Sequence, residues 1–321
     1  MKSSGARFVN LATLAVVNLM WAGQYAAYKI ASDHIDVLAL NFWTFLIAAI
    51  LLTPFWLRQR GRGARLEQCW RGRIAVEFVV LALLGLLPPS VLLAWGIAHS
   101  SASNAAILSL TIPVLMVVMG WLLLKERLTR LRLASLALAL AGTVLVSRSD
   151  LAGGSFSLAL LAGNLAIFLG GAGSAFYNVF SKRLLERFNE LEVLIYGYFV
   201  AILCCALLSA LYDRRPFYHA ESYPLAAWGA LVVLGGLSWG LAMVLWMWVL
   251  NRLAVSQISV SVYLLPVFGV VITSLVLREK LTVLHLAGGA CVIAATFLTS
   301  EYEAWRLKRA SNCAVFEEAE R

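Results

Sequence analysis

The sequence predicts an all-α fold: a polytopic membrane protein of ten transmembrane helices, arranged as two inverted five-helix repeats. Three observations predict it. First, 61% of the 321 residues are hydrophobic and 13% are charged, with a mean hydropathy of +0.83. A soluble fold carries about 25% charge to make its surface, so most of this surface meets lipid. Second, the apolar residues come in continuous runs close to the roughly 20 residues that cross a bilayer as a helix. Barrel strands would show alternating segments of about ten residues instead. Third, a charged turn and its flanks recur at a fixed interval along the chain.

The spans follow in order. Span 1, Val9–Ala31, is long enough to cross and has no small-residue cleavage site, so it reads as an uncleaved helix. It carries Asn18, Trp21, Tyr25 and Tyr28 at helical spacing, with Gln24 beside them. Such a stripe faces protein or water rather than lipid. It forms either a packed interface or a cavity wall; repeat symmetry puts span 1 near the centre and favours the wall. Lys29, near the span's end, is expected to snorkel to the outer interface, where an anionic group would be its partner. Spans 2 and 3 are Val37–Leu57 and Ile74–Ala98, with Glu77 at the start of span 3 and His99 just past its end. Span 4, Asn104–Leu124, opens in a Ser-rich stretch and contains Pro113; span 5 is Leu131–Ser147. Span 6, Leu158–Phe180, holds Gly170-Gly171-Ala172-Gly173 and Asn178. No Lys-Ser/Thr follows these glycines, so they are not a phosphate loop. They either pack helices closely or leave room for a cavity or hinge. Span 7 is Leu191–Leu211. Span 8, Leu225–Leu250, carries Trp239, Met243 and Trp246, spaced 4 and 3. Trp239 is mid-span and reads as cavity wall, whereas Trp246 and Trp248 sit where an interfacial belt would be. Span 9, Val255–Leu277, opens on Gln257, Ser261 and Tyr263 and contains Pro266; span 10 is Val283–Thr299.

The net charge of +9 reads as an orientation signal rather than a nucleic-acid surface. With the N-terminus in the cytoplasm, the inside segments hold 20 of the 26 Lys and Arg. Lys29, Arg148, Arg214, Arg215, Arg278 and Lys280 remain for the outer half. That bias fits ten spans with both termini cytoplasmic, and the compact loops suggest a bacterial cytoplasmic (inner) membrane. Cys69, Cys204, Cys205, Cys291 and Cys313 form no CxxC pair and read as free thiols. A disulfide scaffold and a disordered chain are excluded on composition.

The repeat is explicit. Lys125-Glu126-Arg127-Leu128-Thr129 resembles Arg278-Glu279-Lys280-Leu281-Thr282, an offset of 278 − 125 = 153. The same offset pairs Pro113 with Pro266, Val117-Val118 with Val270-Val271, and Asn104 with Gln257. Five spans per copy is odd, so the second copy inserts upside down. Inverted repeats rock about a site near the bilayer midplane, giving each face access in turn. Matched kinks at Pro113 and Pro266 would serve as gates, or as static bends. Asn104 and Gln257 stand at helix starts, where free N–H groups suit either a carboxylate or simple capping.

These residues carry a family resemblance. Trp21 with Lys29 eight residues on, the block Pro113…Lys125-Glu126-Arg127-Leu128-Thr129…Ala141-Gly142, and the second block Pro266…Glu279-Lys280-Leu281-Thr282 resemble the EamA-type carriers of the drug/metabolite transporter superfamily. The resemblance covers both halves and implies a first EamA-like repeat over 1–150. A second, inverted repeat with a short cytoplasmic tail would occupy 151–321. It implies metabolite transport, with export favoured over import. One departure is that span 6 has Gly170-Gly171 where the family often has a tryptophan.

No catalytic constellation stands out, and His34, His99, His219 and His285 share no helix face, so neither a metal nor a cofactor is expected. An integral-membrane enzyme would need a His/Asp/Glu cluster at one face. The expected function is a secondary carrier of a small polar metabolite, with amino acids the leading class. A nucleotide-sugar or sugar-phosphate exchanger is the alternative, which would require Lys and Arg in the cavity. The expected substrate-binding set is Asn18, Trp21, Gln24, Tyr25, Tyr28, Asn104, Asn178, Trp239, Met243, Gln257, Ser261 and Tyr263. Glu77, His99 and Lys29 are the candidates for coupling to a proton or counter-charge. The expected partners are the substrate, the lipid bilayer and a proton or counter-substrate, with no nucleic acid.

Overall fold

The computed structural model describes residues 2–60, 72–109, 111–124, 158–212, 220–252 and 264–278, with scattered single positions elsewhere. Gln257, Ser261, Tyr263 and most of spans 5 and 10 lie outside the described residues. Among the described residues regular structure is helical throughout. We number the helices α1 (Lys2–Ser32), α2 (Val37–Arg60), α3 (Arg73–His99), α4 (Ala102–Leu108) and α5 (Thr111–Leu124). Then come α6 (Leu158–Leu185), α7 (Glu190–Tyr212), α8 (Leu225–Arg252) and α9 (Leu264–Leu277). Helices α2, α3, α6, α7 and α8 are long and apolar enough to cross a membrane.

The helix starts follow from local capping. Asp36 precedes α2 and accepts the Leu38 N–H at 2.9 Å on its carboxylate. Asn189 precedes α7 in a reciprocal box: its Oδ1 accepts the Glu192 N–H, and the Glu192 carboxylate accepts the Asn189 N–H, both at 2.9 Å. Asp36 and Asn189 are 153 residues apart, and so are the turns they close. His34 and Ile35 N–H groups bond Ala31 O, as Arg187 and Phe188 bond Leu184 O. The helix ends Ser32 and Leu185, His99 and Arg252, Leu124 and Leu277 keep the same interval. The repeat read from the charged turns therefore recurs in local backbone structure.

Two departures from the expected spans have identifiable causes. Span 4 is not continuous; it breaks into α4 and α5 between Leu108 and Thr111. Pro113 has no N–H with which to carry a helix through the break. Hydroxyls satisfy the carbonyls left at the break: Ser109 Oγ donates to Ala106 O and Thr111 Oγ1 to Leu108 O, each at 2.7 Å. Both α3 and α8 also loosen to π-helical turns, over Leu81–Leu86 and Pro88–Leu92 in α3 and Val233–Leu241 in α8. In α3 the adjacent Pro88 and Pro89 remove two donors, and Ser90 Oγ turns back onto Leu86 O at 2.8 Å. In α8 the loosened segment contains Gly235, Gly236 and Gly240.

Helix α1 runs through the middle, packed against α3, α4, α8 and α9. Helix α6 lies on α3 and α5, and α2 on α7 and α8. The outward faces carry leucines such as Leu225, 88% exposed, as lipid contact requires. Close approach is set by glycine. Cβ atoms placed on Gly96 and Gly163 would meet each other's helix: Gly96 at 2.7 Å from Gly163 O, and Gly163 at 2.9 Å from Gly96 O. Bare backbone thus touches bare backbone between α3 and α6.

Candidate functional site

A cavity of about 150 Å³ lies between the two halves of the chain. Helix α1 contributes Asn18, Trp21, Gln24 and Tyr25; α6 contributes Gly171, Ser174, Tyr177 and Asn178. These are the same four register positions, each pair separated by 153 residues. Leu93 of α3 and Trp246 of α8 form another such pair, as do Ile112 of α5 and Leu265 of α9. Equivalent positions of the two repeats thus face one another across one space, with different side chains in every pair.

The polar groups of the lining are held by specific partners. Trp21 Nε1 donates to Ser238 O at 3.2 Å, and its ring lies 4.9 Å from that of Trp246, tilted by 55°. Trp246 Nε1 donates to Asn178 Oδ1 at 3.0 Å, and Asn178 Nδ2 donates to Ser174 O at 2.9 Å. Trp239 Nε1 donates to the Tyr28 hydroxyl at 3.0 Å, and Tyr198 donates to the Trp239 carbonyl. Asn18 Nδ2 donates to Leu14 O at 2.7 Å. The Tyr25 hydroxyl interacts with the side chains of Ser109 and Gln24. Among the described residues the lining includes no Lys, Arg, Asp, Glu or His.

Seven of the sequence-predicted site residues therefore line one cavity: Asn18, Trp21, Gln24, Tyr25, Asn178, Trp239 and Met243. Tyr28 does not; it is fully buried behind the wall and receives the Trp239 N–H. Asn104 does not either. It sits at the start of α4, where its N–H is capped by Ser101 Oγ at 3.1 Å, and its Nδ2 donates to Ser100 Oγ and Asn164 Oδ1 at 3.0 and 3.2 Å. Both pieces of the interrupted helix reach the cavity, α4 through Ala105 and α5 through Ile112 and Met116, with Ser109 of the break between them. Pro113 and Pro266 are each the third residue of their helices, α5 and α9.

The coupling candidates also lie off the cavity lining. Glu77 is ion-paired with Arg187 of the α6–α7 turn and lies 3.8 Å from Arg73. Lys29 does not snorkel away from the bundle: its Nζ donates to Ile97 O at 3.3 Å, a last-turn carbonyl of α3 with no helical partner. His99 stacks on Trp95 at 4.1 Å and donates from Nδ1 to the Trp95 carbonyl at 2.8 Å. Arg252 lies over Trp248 at 3.6 Å, the same pair one repeat on.

Sequence reasoning assigned Trp246 to the interfacial belt and passed over Tyr177, Ser109 and Ser174. The spacing of Trp239, Met243 and Trp246 held the signal, since all three line the cavity. The glycine cluster serves both readings. Gly170 and Gly171 line the cavity, while a Cβ on Gly173 would meet Pro89 Cδ at 2.7 Å.

Known proteins share this pattern. A protein of Archaeoglobus fulgidus named an uncharacterized transporter is 28% identical over 291 residues, 89% of this chain and 96% of its own. One of Streptantibioticus cattleyicolor, named a probable terminal-alkyne amino-acid exporter, is 27% identical over 299 residues, 93% and 95%. The Bacillus subtilis protein YoaV, also named an uncharacterized transporter, is 22% identical over 88% of the chain and 94% of its own length. A solved crystal structure covers 93% of this chain and 98% of its own at a TM-score of 0.63 and 20% identity, which supports the fold. The profile of the EamA-like transporter family matches residues 10–148 and again 161–301. With a match in each half, the chain belongs to the EamA-like transporter family, within the drug/metabolite transporter superfamily.

Proposed function

We propose that the protein is a secondary carrier that exports amino acids or amino-acid-like compounds by alternating access. The two halves are inverted copies that rock about the cavity, in a bacterial cytoplasmic membrane with both termini inside. One observation carries this reading: equivalent positions of the two repeats converge on a single space, the place where a rocking pair of halves holds its load. Asn18, Trp21, Gln24, Tyr25, Asn178, Trp239 and Met243 contact the substrate there. Pro113 and Pro266 mark the bends at which α5 and α9 move.

The lining favours amino acids over the phosphorylated alternative. A sugar phosphate or nucleotide sugar brings at least one dianionic or diphosphate group, and among the described residues the lining has no Lys or Arg to meet it. Size agrees. An apolar cavity of about 150 Å³ accepts benzene, and drug-sized ligands occupy roughly 300–1,000 Å³. The Streptantibioticus relative's name points to the same class.

The test is uptake of labelled amino acids into proteoliposomes, with and without an imposed pH gradient. Saturable flux is expected, and Trp21→Ala should reduce it by tenfold or more. Its ring packs at a tilt against Trp246, so truncation opens the wall. No flux above empty liposomes for any amino acid would overturn the proposal.

A further inference from the structure

Among the described residues three tryptophans line the cavity, and each has its N–H already bonded within the protein. An indole has one donor and no acceptor. Trp21 gives its donor to Ser238 O, Trp239 to the Tyr28 hydroxyl, and Trp246 to Asn178 Oδ1. Asn178 is turned the same way: its oxygen takes the Trp246 N–H and its nitrogen faces Ser174 O. Met243, Ile167 and Leu265 extend the lining without polar groups. The three indoles, Met243, Ile167 and Leu265 show a ligand ring face, thioether and aliphatic carbon.

The polar lining lies at Gln24, Tyr25 and Ser109 and at Asn18, Ser174 and Asn178. Ser109 Oγ donates to Ala106 O at 2.7 Å. The Tyr25 hydroxyl interacts with the side chains of Ser109 and Gln24. The Gln24 amide, with two N–H donors and a carbonyl, brings both hydrogen-bond senses to that end of the cavity.

We infer that the cavity selects an uncharged or zwitterionic molecule with a branched aliphatic or single-ring side chain. The side chain sits against Trp21, Trp239, Trp246 and Met243, and the polar head lies at Gln24, Tyr25 and Ser109. The head assignment rests on the amino-acid reading above; the selection for an apolar body rests on the committed indole donors alone. A hydroxyl or amide of the same size, placed against those indoles, gives up its water and finds no indole donor left to bond it. The cavity volume of about 150 Å³ suits such a body.

Isosteric pairs separate polarity from size: valine against threonine, and leucine against asparagine. Binding of each to the detergent-purified full chain is read by intrinsic tryptophan fluorescence, and flux by uptake into proteoliposomes. Valine and leucine should bind about tenfold more tightly than their polar partners. Trp246→Phe keeps a ring in the wall but releases Asn178 Oδ1 as an acceptor, so it should narrow both ratios by improving threonine and asparagine. Equal binding within the pairs overturns the inference. So does binding by none of the four compounds, or a Trp246→Phe protein that melts like the parent with unchanged ratios. If the apolar members bind with the expected preference but none crosses the liposome, the selectivity stands and the carrier reading falls.

Discussion

Asn164 shows how much one buried amide can hold. It is fully buried on α6, and its Oδ1 accepts from Ser100 Oγ at 2.6 Å and from Asn104 Nδ2 at 3.2 Å. Ser100 and Asn104 belong to the first repeat and Asn164 to the second, so the bonds tie the halves together beside the cavity. Replacing Asn164 with Ala leaves both donors facing apolar packing, at a cost of about 2 kcal/mol. A detergent melting curve should show the loss, and an unchanged midpoint would mean that the bonds contribute nothing net. The amide types that make this network were legible in the sequence, but their assignment was not. Asn104 reads as a binding residue when seen alone, because its partner Asn164 is 60 residues away. Trp246 shows the reverse error. Its position near a span end suggests an interface, whereas its spacing from Trp239 and Met243 and its hydrogen bond to Asn178 on another helix place it in the cavity.

At the scale of helices, glycine decides which surfaces meet. Gly96→Ala on α3 would put a Cβ 2.6 Å from Ile167 Cγ1 and 2.7 Å from the Gly163 carbonyl. The side chain can yield; the carbonyl cannot. A loss of about 2 kcal/mol is expected, in the usual range for overpacking. Gly23 on α1 is the control, with nothing within 4 Å of an added Cβ, so Gly23→Ala should be neutral or stabilise by up to about 1 kcal/mol. Paired melting curves decide the matter, and equal effects at the two sites would refute the packing account. The helices themselves were largely legible from apolar run length. The break between α4 and α5 was legible only as a bend at Pro113, because whether the chain kinks or stops depends on the hydroxyls of Ser109 and Thr111. The π-helical turns of α8 were not legible, since glycines alone do not announce them.

Over the whole molecule, the 153-residue interval is the property that sequence and structure share most fully. It recurs in the charged turns, in the Ala31 and Leu184 turns, in helix ends and in six pairs of cavity-lining positions. It was legible because hydrophobic and charged patterns survive duplication. The chemistry of the cavity was less so, since the two copies have diverged at each facing pair. On the carrier reading proposed above, the tryptophan wall has one more consequence, for the return stroke of the unloaded protein. A cavity lined by fixed charges holds water tightly and must be stripped before it can switch while empty. An apolar one drains readily, so reorientation without cargo meets little added barrier. Net efflux should then run as fast as exchange. Preloading proteoliposomes with unlabelled leucine should change labelled leucine uptake by less than about twofold, equivalent to under half a kcal/mol in barrier height. Strong acceleration by internal leucine would instead identify an obligate exchanger, one that waits for a passenger before each crossing.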